Sequence, residues 1–460
     1  MSLLIVGLDN TIVNVALPSL QRDLHASVSG LQWTVDAYTL VLASLLMLSG
    51  STADRLGRRR VFQTGLVVFS VGSLLCSVAP GLGWLVVFRM VQAVGGSMLN
   101  PVAMSIITNV FTEPKERARA IGVWGGVVGI SLALGPIVGG ALVDSVGWRS
   151  IFWINVPVGM AALLLTALFV PESRADHPRR PDVVGQALVL VFLLTLTFGI
   201  IEGPGRGWTS ALILACFIIA AVALISFIAY EGRRAEPLID PRFFRSVPFS
   251  AATVIAVLAF AALGGSLFLN TLYLQNVRGF SPLKAGLITV PLALMTLVFA
   301  PVSGRIVGNR GTRIPLAIAG VAMTAAGLML VGLSNTTPIS WIIVTFLVFG
   351  LGFAMVNAPI TNTAVSGMPR AQAGVAAAIA STSRQVGQSL GVAIVGSAVV
   401  SGMAGQFSTH FAAASRVGWW IIAGCGLGVL VLGLISSSSR AQRTAESVRS
   451  ELAEFVPNPV

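Results

Sequence analysis

Lysine is almost missing from this chain: of its 29 Lys and Arg residues only Lys115 and Lys284 are lysines. Neither follows a glycine, so no glycine-rich phosphate loop ending in Gly-Lys exists, and transport powered by ATP bound to this polypeptide is excluded. Histidine and cysteine are as scarce, with three of each. His25, His177 and His410 fall in separate loops with no Cys or carboxylate at ligand spacing, so neither a metal nor another cofactor is expected. Cys76, Cys216 and Cys425 lie inside apolar runs and are odd in number, which makes them packing residues rather than a disulfide framework. Clustered His, Cys or Ser-Lys chemistry is lacking too, and this argues against an intramembrane enzyme or receptor. Nothing after Met1 reads as a removable signal peptide.

What is present is apolar. With 55% hydrophobic residues, 10% charged residues and a mean hydropathy of +0.87, the chain reads as an integral membrane protein whose first partner is the lipid bilayer. The net charge of +12 would suggest nucleic acid in a soluble protein, but here the arginines sit in short loops between apolar spans. No nucleic-acid partner is expected. At about 20 residues per span, fourteen helices are expected. Alternate loops then collect 21 Lys and Arg on one side against 6 on the other, which predicts a multi-pass protein of the cell membrane with both termini cytoplasmic. Residues 437–460 are polar and read as a disordered, solvated tail. Only eight residues precede Asp9, where about ten or more would be needed to bring it to mid-membrane, so the chain start reads as late.

The stretch Gly50-Ser51-Thr52-Ala53-Asp54-Arg55-Leu56-Gly57-Arg58-Arg59-Arg60 places four arginines within six residues between two apolar runs. Its spacing closely resembles the loop between helices 2 and 3 of major facilitator superfamily transporters. Gly304 and Gly311 repeat the interval of Gly50 and Gly57, and Pro114–Ala118 is echoed by Pro369–Ala373, which argues for duplicated halves offset by eight helices. The resemblance implies an all-α major facilitator fold: two six-helix bundles plus two inserted helices, 14 transmembrane helices in all. The expected organisation is a first bundle over 1–170, a cytoplasmic linker and the inserted pair over 171–247, a second bundle over 248–436 and the tail.

Within the spans, Asp9 lies in Leu8-Asp9-Asn10-Thr11-Ile12-Val13-Asn14-Val15-Ala16-Leu17-Pro18. A carboxylate in an apolar helix costs several kcal/mol unless it meets an aqueous cavity, a partner or a proton. Desolvation eases proton capture; a helix-to-helix anchor shared with Asn10 and Asn14 is the alternative. Asp36, about one turn inside helix 2, reads either as a second titrating group or as an acid set against the helix dipole. Arg89 in helix 4 could pair with Asp36 or Asp9, or snorkel to the headgroups. Gly135-Pro136 and Gly139-Gly140 in helix 5 permit close backbone approach and a bend. No acid occurs in helices 9 to 14, so proton chemistry falls to the first half, with Glu202 an outlying candidate. Arg384 in helix 13 is a second intramembrane arginine with no role assigned.

The Asp9 string resembles the first-helix signature of fourteen-spanner drug:proton antiporters, and the helix 5 glycines resemble the superfamily's antiporter signature. Trp148-Arg149-Ser150-Ile151-Phe152-Trp153-Ile154-Asn155-Val156-Pro157 resembles a string of the drug-exporter branch. These resemblances imply a secondary transporter exchanging protons for small lipophilic or cationic drugs by alternating access. Asp9, Asp36 and Arg89 would couple protons, while Gly50, Asp54, Arg55, Gly57 and Arg58 would gate, Asp54 taking a contact from Arg117 or Arg119. As an alternative, the loop arginines only set topology. A dedicated proton-coupled exporter of one natural product or metabolite is the competing function. A monomer is expected.

Overall fold

A computed structural model describes residues 2–111, 113–175, 181–234, 237–366, 368, 372–402 and 407–453. All regular structure among the described residues is helical. The first bundle comprises α1 (Ser2–Asp23), α2 (Val28–Leu56), α3 (Arg58–Ser77), α4 (Leu82–Val110), α5 (Pro114–Ser145) and α6 (Ser150–Phe169). The inserted pair is α7 (Val183–Arg206) and α8 (Ala211–Glu231), followed by α9 (Val247–Val277) and α10 (Pro282–Arg310). The remaining spans are α11 (Arg313–Val331), α12 (Ile339–Ser366), α13 (Ala373–Gly402) and α14 (Phe407–Ser436). Thirteen of them are apolar and long enough to cross a membrane over their described lengths; α5, 32 residues long, has the described apolar stretch Gly129–Ser145.

Local chemistry sets the helix starts. Ser27, Asp182 and Ser281 accept hydrogen bonds from the backbone N–H of Gly30, Gly185 and Lys284, filling orphan donors at α2, α7 and α10. Pro114, Pro248 and Pro282 occupy first turns, where a missing N–H is harmless. Three spans are broken where the sequence read them as continuous: α4 at Met98–Leu99, α6 at Ile154 and α12 at Met355–Val356. The end of α9 widens to π geometry over Tyr273–Val277.

Leu164, Leu168, Phe169, Ile218 and Ile225 are exposed on the outside, where lipid tails are the only compatible neighbour. Of the inserted pair, α8 packs mainly on α7, whereas α7 lies along the line where α2 meets α13. There Trp33 Nε1 donates to Glu202 at 3.0 Å and Ser397 Oγ donates to the Ile200 carbonyl at 2.6 Å. Glu202 also takes Arg206 at 3.1 Å, so this outlying acid anchors α7 to α2.

The tail corrects an expectation. Ser439–Ala453 forms α15, with Ala441, Ala445, Val448 and Leu452 buried along one stripe. It docks on a short 3-10 turn, Pro241–Arg245, and on the start of α9 through Arg245 to Glu451 at 3.1 Å and the Val247 N–H to Thr444 Oγ1 at 3.0 Å. Asp240 holds the Arg242 guanidinium in the same turn, raising its pKa above the ordinary value through that hydrogen bond.

The two bundles are joined asymmetrically. At the end remote from the Gly50–Arg60 loop, Gln275 Nε2 donates to the Val15 carbonyl (2.8 Å), Asn276 Nδ2 to Gln21 Oε1 (2.9 Å) and the Leu283 N–H to Asp144 (3.0 Å). Gln32 Nε2 likewise reaches the carbonyls of Val392 (3.0 Å) and Ala393 (2.8 Å). At the loop's own end, among the described residues, no hydrogen bond or ion pair joins the bundles. A Cβ built on Gly304 or Gly308 there would meet nothing within 4 Å. Among the described residues, the bundles are joined at the remote end and unjoined at the basic end.

Candidate functional site

Asp9 is fully buried, in the interior of the first bundle. Arg89 Nη1 reaches its Oδ2 at 2.5 Å, and Gln92 Nε2 and Asn155 Nδ2 donate to its Oδ1 at 2.8 and 3.0 Å. Arg89 is itself fixed by the Thr34 carbonyl, by Gln92 Oε1 at 2.7 Å and by the Tyr38 ring 4.2 Å from its Cζ. Ser73 closes the network by accepting from Gln92 and Asn155 and donating to the Phe152 carbonyl. The sequence reading offered Asp36 or Asp9 as partner for Arg89, and the structure selects Asp9. Snorkelling is ruled out by a guanidinium 1% exposed. Asn155 lay inside a string quoted above and Gln92 three residues from Arg89, but their reach to Asp9 depends on tertiary packing and had no signal of its own.

Asp36, on the same helix as Thr34 and Tyr38, is equally buried and has opposite surroundings. Neither carboxyl oxygen completes a hydrogen bond, although the hydroxyls of Ser389 on α13 and of Thr39 face it. It therefore lies on the α2–α13 contact between the bundles, one turn along α2 from the Gln32 clamp.

The α5 glycines make the second contact between bundles. A Cβ at Gly135 or Gly139 would run into Thr11 or Ile12 of α1, and one at Gly140 into the backbone of Pro282 and Leu283. A Cβ at Gly286 of α10 would in turn strike the backbone of Pro136. One face of α5 thus seals against α1 and another against α10, by backbone approach that only glycine allows.

At the basic end Gly57 has φ +114, a backbone that side chains rarely adopt, and a Cβ would meet Glu172. Glu172, unremarked in the sequence, accepts the Arg59 N–H at 3.1 Å, a carboxylate at a helix N-terminus. Asp54 takes Arg58 twice, at 3.0 and 2.9 Å, rather than a residue of α5. Arg119 is exposed with no ion pair among the described residues, and the Arg117 side chain lies outside them. Arg55 is exposed, and Gly50 lies in α2 with only Pro101 near its Cβ position.

Between the bundles runs a narrow crevice lined by Thr11, Asn14, Thr271, Gln275 and Thr289 among leucines and alanines. Its polar groups are neutral, and with a cavity volume of about 20 Å³ it has room for little more than a water molecule while the remote end is shut. No group of three or more His, Cys, Asp or Glu able to hold a metal ion occurs among the described residues.

Residues 1–392 match the model of the Major Facilitator Superfamily. The chain is 36% identical over 410 residues to the multidrug resistance protein Stp of Mycobacterium tuberculosis, covering 89% of this chain and 76% of that one. It is 40% identical over 422 residues to the tetracenomycin C resistance and export protein of Streptomyces glaucescens, covering 90% and 78%. Among solved structures, a bacterial homolog of the human lysosomal transporter Spinster, in an inward-facing and unoccupied conformation, superposes with a TM-score of 0.66 at 17% identity over 97% of this chain and 96% of that one.

Proposed function

Since the chain belongs to the Major Facilitator Superfamily and is a multi-pass transporter rather than an enzyme, we propose that it is a proton-coupled exporter of small lipophilic or cationic drugs, of the fourteen-spanner branch. Relatives named for multidrug resistance and for antibiotic resistance and export support the direction and cargo class. The lining of the crevice is neutral and mostly apolar, the character such cargo needs once the bundles part and the crevice widens. The excess of arginine at the basic end supports a cytoplasmic position for that end and for both termini.

The observation that carries proton coupling is Asp36, buried at the α2–α13 contact without a cation or a completed hydrogen bond. Closing that contact over a charged carboxylate would strand it, so closure at the remote end goes with the acid form. When the remote end opens, Asp36 meets water and takes up its proton from that side; with the remote end shut, the proton leaves through the open basic end as cargo binds, so each cycle carries a proton inward for cargo outward. The Asp9–Arg89 pair orients α4 against α1 and α2. Cargo binding and proton binding then favour different positions of the same two bundles, which is what couples them.

In proteoliposomes, Asp36→Asn is expected to abolish ethidium efflux driven by a pH gradient while leaving gradient-independent ethidium exchange within about twofold of the parent. Undiminished gradient-driven efflux would remove Asp36 from the coupling. A dedicated exporter of a single natural product remains the second reading, favoured by the relative named for tetracenomycin C export; a panel of dyes and antibiotics in a growth assay separates the two.

A further inference from the structure

Arg384 is the one intramembrane cation that the coupling scheme does not use. It lies within about one turn of the midpoint of the 30-residue α13, at a depth where a charge is costly. No Asp or Glu occurs between Asp240 and Glu446, so the entire second bundle offers it no counter-ion. Its contacts are neutral: Nη2 reaches Thr361 Oγ1 at 2.5 Å and the Asn357 carbonyl at 3.5 Å, both on α12. Its Cζ stands 5.9 Å from the Phe260 ring of α9, and its Nε is buried with no hydrogen-bond partner. Asp36 faces Ser389, five residues further along α13, and makes no ion pair with it.

The surroundings point outward from the bundle. Thr361, which Arg384 holds, lines an open fissure at the basic end together with Asn362, Val307 and Gly304. Arg384 does not itself line the fissure and its unused Nε–H is buried, but Thr361 joins the two, and a guanidinium is a receptor for a planar anion because its fork matches a carboxylate in geometry and charge. Phe260, packed edge-on against Phe353 at 5.1 Å, supplies an aromatic flank. We propose that Arg384 is a cargo-binding residue that receives the carboxylate of an amphipathic aromatic acid entering through the basic-end fissure, with Thr361 holding the guanidinium in place. The inference rests on the exporter reading and narrows its cargo: aromatic organic acids join the lipophilic drugs.

Equilibrium binding to the purified full-length protein tests this without any gradient, using the fluorescence of 9-anthracenecarboxylate and of its methyl ester. The parent is expected to bind the acid about tenfold more tightly than the ester, the worth of one charge-assisted contact. Arg384→Gln should bring the acid down to the ester's affinity and leave the ester unchanged. Arg384→Lys should keep part of the preference, since it retains the charge but loses the fork. Equal affinity of the parent for acid and ester, failure of the parent to bind the acid, or a loss in Arg384→Gln that is the same for both probes would overturn the proposal. A preserved acid preference in a protein that shows no gradient-driven flux would count against the exporter reading and still support the site.

Discussion

Asp9 and Asp36 sit on neighbouring helices, and their environments assign them different work. Removing one partner of a buried ion pair leaves the other charge uncompensated, at a cost of about 3–5 kcal/mol. Asp9→Asn should therefore lower the unfolding temperature of the purified protein markedly, and Asp9→Asn with Arg89→Gln should recover part of the loss. Asp36→Asn replaces an unpaired acid with a neutral group of the same shape, and its unfolding temperature should match or exceed the parent's. Thermal unfolding of the three variants side by side checks the assignment; a larger loss in Asp36→Asn than in Asp9→Asn would reverse it. From sequence, both acids stood out because charge is rare in an apolar run, but which one had a cation could not be read. That depends on the angle at which α4 crosses α1 and α2, and no local spacing encodes it.

At the scale of helices, the sequence was most legible where length and apolarity coincide, since a bilayer demands about 20 apolar residues per span. It was least legible in α15, whose buried stripe of Ala441, Ala445, Val448 and Leu452 never forms an apolar run. The i, i+4, i+7, i+11 spacing was the available signal. Burying a charge in that stripe should release the helix. Val448→Asp is expected to make tryptic cleavage at Arg440, Arg443 and Arg449 at least about tenfold faster, because cleavage follows the population of the undocked form. Unchanged cleavage would mean that the helix is held by Arg245–Glu451 and Thr444 alone. The breaks in α4, α6 and α12 did leave a trace: each falls two or three residues before a proline, Pro101, Pro157 and Pro359, which lacks the N–H needed to bond the preceding turn.

Under the alternating access proposed above, closure at one end goes with opening at the other, so the contacts at the two ends oppose each other. The remote seam depends on Gly286 lying against Pro136, and a larger side chain there overpacks it by about 1–3 kcal/mol. That corresponds to a shift of about 5- to 150-fold toward the remote-open state. Labelling of Gln21→Cys by an impermeant maleimide, in a background lacking Cys76, Cys216 and Cys425, reads this shift, because Gln21 is covered by Asn276 only while the seam is shut. Asp54 should act in the opposite sense. Among the described residues its side chain pairs with Arg58 alone, a partly exposed pair worth about 0–1 kcal/mol, so Asp54→Asn costs the basic-open state little. If Asp54 meets a basic residue of α5 when the basic end closes, the same change destabilises the remote-open state and lowers Gln21→Cys labelling. Gly286→Val should raise labelling, Asp54→Asn should lower it, and the double variant should fall at the sum of the two free-energy shifts within about 0.5 kcal/mol, as expected for distant sites. An Asp54→Asn variant that leaves labelling untouched in both backgrounds would reduce the arginine-rich loop to a determinant of orientation, with no part in the exchange between states.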